Sequence, residues 1–202
     1  NGERQTVVIP STLLISALGQ IANIENAVTM DLKSAGNRLL LIGETKDELG
    51  GSHFSLVNNL KGGTVPTVDS KTAPTIFAAL HEAISEGLIE SCHDLSEGGL
   101  AVAAAEMAFA GDLGVSLDLK GLVETTGLSN AMLLFSESNS RFLIEVTAEN
   151  ASAVSAIFGA GLTTDLGEVS ASRSVVVTGS RGTIIHEDID VLRSTWKDPL
   201  NW

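Results

Sequence analysis

Three stretches of the chain combine acids, glycines and hydroxyls at spacings that suit ligand chemistry. The first is GETKDELGGSHF, Gly43 to Phe54. An apolar run ends at Gly43, the acids Glu44, Asp47 and Glu48 follow, and Gly50-Gly51-Ser52 opens a helix. Glycines ahead of a helix N-terminus let backbone amides approach an anion, and the helix dipole favours negative charge there. The spacing is neither a P-loop nor a dinucleotide fingerprint. Glu44 and Asp47 equally suit a hard cation bound through oxygens. The plainest alternative is a turn with solvated acids and a Ser52 cap.

The second stretch is CHDLSEGGLAVAAAEMAFAG, Cys92 to Gly111. A strand runs out into a polar turn, and Ser96 is the expected N-cap of an alanine-rich helix through Phe109. Gly98 and Gly99 fall in its first turn, where each costs ~1 kcal/mol relative to alanine. That cost implies close backbone approach, either to a ligand or to another element. Glu97 adds negative charge at the same helix end and so opposes a bare phosphate. His93-Asp94 has the composition of a base with its orienter, but adjacent strand residues point to opposite faces.

The third is LFSESNSRFLIEV, Leu134 to Val146, in which the polar run Ser136 to Arg141 interrupts two expected apolar strands. It lacks the Asn-Gly or Asp-Gly of a tight hairpin. Glu137 and Asn139 could hydrogen-bond a ribose or an amide, and Arg141 could pair with a carboxylate or phosphate. A surface loop with an Arg141–Glu137 ion pair, worth ~0–1 kcal/mol, is the competing reading. Cys92 at a strand end reads as a small buried hydrophobe. His53, His81 and His186 are scattered without metal-ligand spacing.

Helix and strand patterns alternate around these stretches. Strands are expected over Thr12–Ile21, Arg38–Ile42, Leu88–Cys92, Gly114–Leu119, Arg141–Thr147, Glu168–Val169 and Ser174–Thr178. Helices are expected over Ser52–Asn59, from Pro74 to about Gly87 with Ile76, Phe77, Leu80, Ala83 and Ile84 at helical spacing, and over Ser96–Phe109, Ala148–Phe158 and Ile189–Trp196. The fold class expected is α+β, a mixed β-sheet with helices packed on it. The 202 residues are expected to form one domain, since a break near residues 60–70 would leave unequal pieces.

Composition narrows the function classes. Twenty-five acids against 12 Lys and Arg give a net charge of −13, which argues against a nucleic-acid or anionic-membrane surface. Aromatic residues are 4% and tyrosine is absent, so base-stacking platforms are not expected. A single cysteine excludes an internal disulfide or a cysteine-based zinc site. No apolar run approaches the ~20 residues of a membrane-spanning helix. A soluble, cytoplasmic chain is expected.

Taken together, the three stretches resemble the C-terminal domain of the aminoimidazole ribonucleotide synthetase superfamily, and within it the phosphoribosylformylglycinamidine synthases (FGAM synthases) of purine biosynthesis. The resemblance runs from Ser11 to Gly167, and Ser194 to Leu200 suits that family's end. It implies an ATP-dependent ligase that activates the formyl amide oxygen of formylglycinamide ribonucleotide, so that ammonia from a glutaminase displaces phosphate and leaves the amidine. Such enzymes resemble two fused copies of a two-domain unit, and only the C-terminal domain of the second copy is matched here. ATP and Mg are then bound mainly outside this fragment, which needs no cofactor and is inactive alone.

The implied partners are N-terminal domains of the same protein and a glutaminase domain or subunit, with no nucleic acid or membrane; a weak homodimer of the fragment is also expected. Catalytic and metal residues are not expected in this chain. Substrate or nucleotide contacts carry over to Asp94, Ser96, Gly98 and Gly99, and to Glu137, Ser138 and Asn139, where Asn139 stands in place of the family's glutamine. Sibling enzymes of the superfamily (aminoimidazole ribonucleotide synthetase, selenophosphate synthetase, thiamine phosphate kinase) and a non-catalytic binding or scaffold module are the alternatives. AEMAFAG and the tryptophan tail lean towards the large fused form of the synthase, GETKDELGGS towards the small one.

Overall fold

The computed structural model describes residues 14–21 and 23–200. Its frame is one seven-stranded sheet in the order β2-β4-β1-β5-β3-β6-β7. The strands are β1 (Arg38–Ile42), β2 (Ser91–Asp94), β3 (Gly114–Asp118), β4 (Phe142–Val146), β5 (Thr163–Ser170), β6 (Ser174–Gly179) and β7 (Gly182–Asp188). All neighbouring pairs are antiparallel except β3 and β6, so the sheet is mixed as expected. The helices are α1 (His53–Val57), α2 (Thr72–Ser85), α3 (Gly99–Gly111), α4 (Lys120–Thr126), α5 (Asn130–Phe135), α6 (Ala151–Phe158) and α7 (Ile189–Lys197). None is long and apolar enough to cross a membrane.

The run Leu39-Leu40-Leu41-Ile42 is apolar at every position because β1 is covered on both faces. Leu39 and Leu41 join Leu143, Leu117 and Val177 beneath α3, which contributes Leu100, Ala103, Ala104 and Met107. Leu40 and Ile42 join Ile144 and Val146 beneath α2 and α6, through Ile76, Leu80, Val154 and Phe158. Alanines on α3 give it little side-chain bulk, so the helix lies close to the sheet.

Four local expectations are corrected. Residues 14–21 form no strand and find no cover, with Leu14 88% and Leu18 99% exposed; Thr12 and Leu13 lie outside the described residues. The helix expected from Ser96 begins at Gly99, after Gly98 in the left-handed region at φ 81°. The Ser96 hydroxyl donates to the Asp94 carboxylate, and no side chain caps the helix. Leu133-Leu134-Phe135 is the end of helix α5, not a strand, because the Ser129 side chain caps that helix by accepting from the Met132 amide. Helix α4 and strand β7 have no counterpart among the expected elements.

Candidate functional site

Strand β2 and the segment between α5 and β4 meet at one end of the sheet. Asp94 ends β2, directly paired with Phe142 at the start of β4. The Ser136–Arg141 segment therefore passes beside the Leu95–Gly98 turn. Between them lies an open cleft of about 470 Å³, walled by Asp94, Ser96, Glu97, Glu137, Asn139, Pro66 and Phe77. An adjoining recess of about 720 Å³ shares Asp94, Ser96 and Glu97 and is closed by His53, His93, Gly98 and Trp196.

Glu137 ties the site together. One of its carboxylate oxygens accepts the backbone amides of both His53 and Gly98, each at 2.9 Å. It thereby serves the N-terminal ends of α1 and α3 at once, where the helix dipoles favour a negative charge. The Gly99 amide is also engaged, donating to the Ser96 carbonyl at 3.1 Å. The Gly98 and Gly99 amides at the start of α3 are thus bonded within the protein. Of the two readings of Gly98-Gly99, close approach to another element holds for Gly99: a Cβ there would stand 2.5 Å from the Ser136 carbonyl oxygen.

Arg141 is 1% exposed and does not pair with Glu137. Its Nε donates to the Ser138 carbonyl at 2.9 Å, and its guanidinium also donates to the Thr45 hydroxyl at 2.9 Å and to the Ser136 carbonyl. Burial pushes it down to about 10, against the raising influence of Glu48, which leaves it cationic at neutral pH. The surface ion pair and the ligand-facing arginine are both replaced by a buried clamp that shapes the loop. Glycine is required opposite it, since a Cβ on Gly43 (φ +88°) would lie 2.7 Å from the Ser140 carbonyl oxygen.

The candidate residues therefore divide. Asp94, Ser96, Glu137 and Asn139 line the cleft, and Gly98 lines the adjoining recess. Ser138 is buried, with its hydroxyl accepting from the Lys46 amide at 3.1 Å, and Gly99 is packed against α5. The Ser96 hydroxyl holds the Asp94 carboxyl below its ordinary range, so it is ionised at neutral pH. With Glu97 and Glu137 it makes the cleft wall acidic. Among the described residues no three His, Cys, Asp or Glu side chains converge on a possible metal ion.

Sequence reading missed a second layer behind the cleft. His93 Nε2 lies 2.9 Å from the Glu106 carboxylate, whose other oxygen accepts from Trp196 Nε1 at 3.0 Å. His93 Nδ1 is 3.5 Å from Asp94. The strand-end histidine is thus oriented from α3 and α7, by partners far from it in sequence. Glu145, inside the apolar run of β4, is fully buried and accepts from the Lys33 and Ser34 amides, the Asn37 side chain and Ser91. Its one sequence signal is an acid in the middle of a core strand.

The family model described as AIR synthase related protein, C-terminal domain, matches residues 34–180. This chain belongs to that family. Among curated proteins, the AIR synthase related domain is 37% identical over 150 residues to the phosphoribosylformylglycinamidine synthase subunit PurL of Thermococcus sibiricus, covering 74% of this chain and 21% of that protein. It is 32% identical over 202 residues to the PurL subunit of Caldanaerobacter subterraneus, covering 99% of this chain and 27% of that one. The chain thus spans about a quarter or less of these relatives' length. Thermotoga maritima PurL complexed with FGAR has the same fold, with TM-score 0.71 at 20% identity over 84% of this chain and 30% of that one. The Escherichia coli hydrogenase maturation protein HypE shares it at TM-score 0.55 and 19% identity, over 80% of this chain and 51% of its own. The family reached from the three motifs is the family matched.

Proposed function

We propose that the AIR synthase related domain, taken as one unit over residues 1–202, is the second-copy closing domain of an FGAM synthase. The carrying observation is its identity to PurL subunits, 37% over 150 residues, in a chain that covers 21% of the relative. The enzyme as a whole is then an ATP-dependent ligase of purine biosynthesis, using ammonia from a glutaminase partner; Thermotoga maritima PurL, which shares the fold, has been solved in complex with ATP, ADP and AMPPCP. ATP and its Mg are held mainly by the preceding domains. Among the described residues no three His, Cys, Asp or Glu side chains come together to hold one, and no step is derived through a metal.

The domain's own contribution is a wall. Asp94, Ser96, Glu137 and Asn139 present acceptors and an amide towards the cleft, suited to hydroxyl and amine groups rather than to bare phosphate. Alone, such a half-cleft neither excludes water nor positions two reactants, so the fragment is inactive. The engaged amides of Gly98 and Gly99 favour a second reading, in which this copy shapes or binds without taking part in chemistry.

One experiment separates them. The chain is expressed alone and joined to its preceding domains, and amidine formation from formylglycinamide ribonucleotide is assayed with ATP and ammonia. Turnover by the joined protein only, lost on Asp94→Ala, supports the working wall. Turnover that survives Asp94→Ala and Glu137→Gln supports the structural reading. Turnover by the fragment alone overturns both.

A further inference from the structure

Glu48 is a charged side chain that the site so far leaves unexplained. It is 3% exposed, and one oxygen accepts from both the amide and the hydroxyl of Thr67, at 3.2 and 3.3 Å. The other oxygen is buried and has no hydrogen-bond partner among the described residues. Arg141 acts on it by charge alone, since the guanidinium bonds go to Thr45, Ser136 and Ser138. A buried carboxylate that spends one oxygen on a loop and leaves the other unmet calls for a reason.

The loop is a strap of residues 60–70 with neither helix nor strand through residue 69. Gly62 and Gly63 sit in the left-handed region, at φ 83° and 89°. Its middle is pinned at two points: the Gly50 amide donates to the Thr64 carbonyl at 2.8 Å, and Thr67 binds Glu48. At the first point there is no space for a side chain, because a Cβ on Gly50 would lie 2.6 Å from the Gly63 carbonyl oxygen. Pro66 faces the open cleft, whereas Thr67 faces a small recess of about 40 Å³. These consecutive strap residues line different spaces, which meet again at Asn139 and Ser140, so the strap runs between the two.

We propose that Glu48 is a positioning residue of the cleft: through Thr67 it latches the strap so that Pro66 stands as a wall opposite Asn139. The latch depends on an acceptor at Glu48 and not on its charge. Release of the strap would join the small recess to the cleft and change what fits beside Asn139. Only the cleft's role as a working face rests on the function proposed above; the latch itself is tested without any ligand.

Amide hydrogen exchange on the folded chain reads it directly. In the wild type the Thr67 amide is protected. Glu48→Ala should speed exchange at Thr67 and at Gly50 by about tenfold, the upper end of what a neutral hydrogen bond is worth. Amides of β1 and β4 should keep their wild-type rates. Glu48→Gln, which retains a carbonyl acceptor, should restore protection at Thr67 to within about threefold, on the scale of a neutral hydrogen bond. Thr67→Val alters an exposed side chain, tolerates folding if Glu48→Ala does not, and should speed exchange at position 67 through loss of the hydroxyl bond. An unprotected Thr67 amide in the wild type overturns the latch. So does equal acceleration in β1 and β4, failure of Glu48→Gln to restore protection, or an unchanged rate in Thr67→Val.

Discussion

Gly99 and Ser136 meet so closely that a Cβ on the glycine would stand 2.5 Å from the serine's carbonyl oxygen. The contact seats the first turn of α3 against the end of α5, and it sets the distance between the two motifs that line the cleft. Gly99 also has φ +62°, where an L side chain is strained regardless of space. Backbone and contact therefore oppose substitution together. Gly99→Ala is expected to destabilise the fold by about 2–4 kcal/mol. Urea unfolding checks it: a midpoint shift corresponding to less than about 0.5 kcal/mol would show that α3 and α5 yield more easily than their packing suggests.

Glu145 is expected to be among the least replaceable residues. Four donors converge on a carboxylate with no exposure, and two of them are backbone amides that cannot turn away. Glu145→Ala leaves all four unmet and should lower stability by about 3–5 kcal/mol. Glu145→Gln should cost nearly as much, because it turns one acceptor into a donor that faces donors. Thermal or urea unfolding of both variants decides this, and a Gln variant as stable as wild type would refute it.

Cys92 should behave as an inert thiol in the folded protein. Burial pushes it up to about 12 from 9.0, with the Asp94 charge adding to the effect. At pH 8 its alkylation by iodoacetamide should be at least tenfold slower than in denaturant, since the thiolate is the nucleophile. The same shift has a consequence for stability. Above pH 9 the unfolded chain releases a proton that the folded chain keeps, so stability from this group is present below pH 9 and declines until about pH 12. The slope is about 1.4 kcal/mol per pH unit, and Cys92→Ala should remove it. An alkaline unfolding curve identical in the two proteins would contradict the assignment.

Much of the sheet was legible because its core strands are simple. Leu39 to Ile42 reads as buried because it is buried on both faces, and Val175 and Val177 alternate with half-exposed neighbours. Helix α5 was not legible as a helix: Leu133-Leu134-Phe135 is a short apolar run, and such runs carry no period. The usable signal was Ser129, three residues ahead of Met132, in the position of a cap. Strand β7 was signalled by Gly179-Ser180-Arg181-Gly182, a short glycine-bounded link of the kind that joins a hairpin. At the site, the sequence marked Glu137, Asp94 and the glycine pair because their types are unusual for their places. It could not mark the burial of Arg141, because that depends on Thr45 and Ser136 closing round it from separate loops.

Self-association of the fragment is expected through its leading segment. Leu14, Ile15 and Leu18 are 88%, 77% and 99% exposed, while the net charge of −13 opposes a second copy. At ~0.15 M salt that repulsion reaches only ~8 Å. A weak dimer that strengthens with salt and weakens on Leu18→Ser should appear in sedimentation at rising concentration. A strict monomer at every salt level, or a dimer that salt dissociates, would exclude this surface.

The position of β1 sets the order in which the domain can be completed. It ends at Ile42, yet its two neighbours in the sheet begin at Phe142 and Thr163. A growing chain therefore carries its most apolar strand without a hydrogen-bonding partner until most of the domain has been synthesised. Local helices such as α2 and α3 can form early, but the sheet must wait for long-range closure, which is slow. During that interval Leu39 to Ile42 is the segment most exposed to wrong pairing with another chain. Synthesis rate and chaperone supply, more than final stability, will govern the yield of the folded domain.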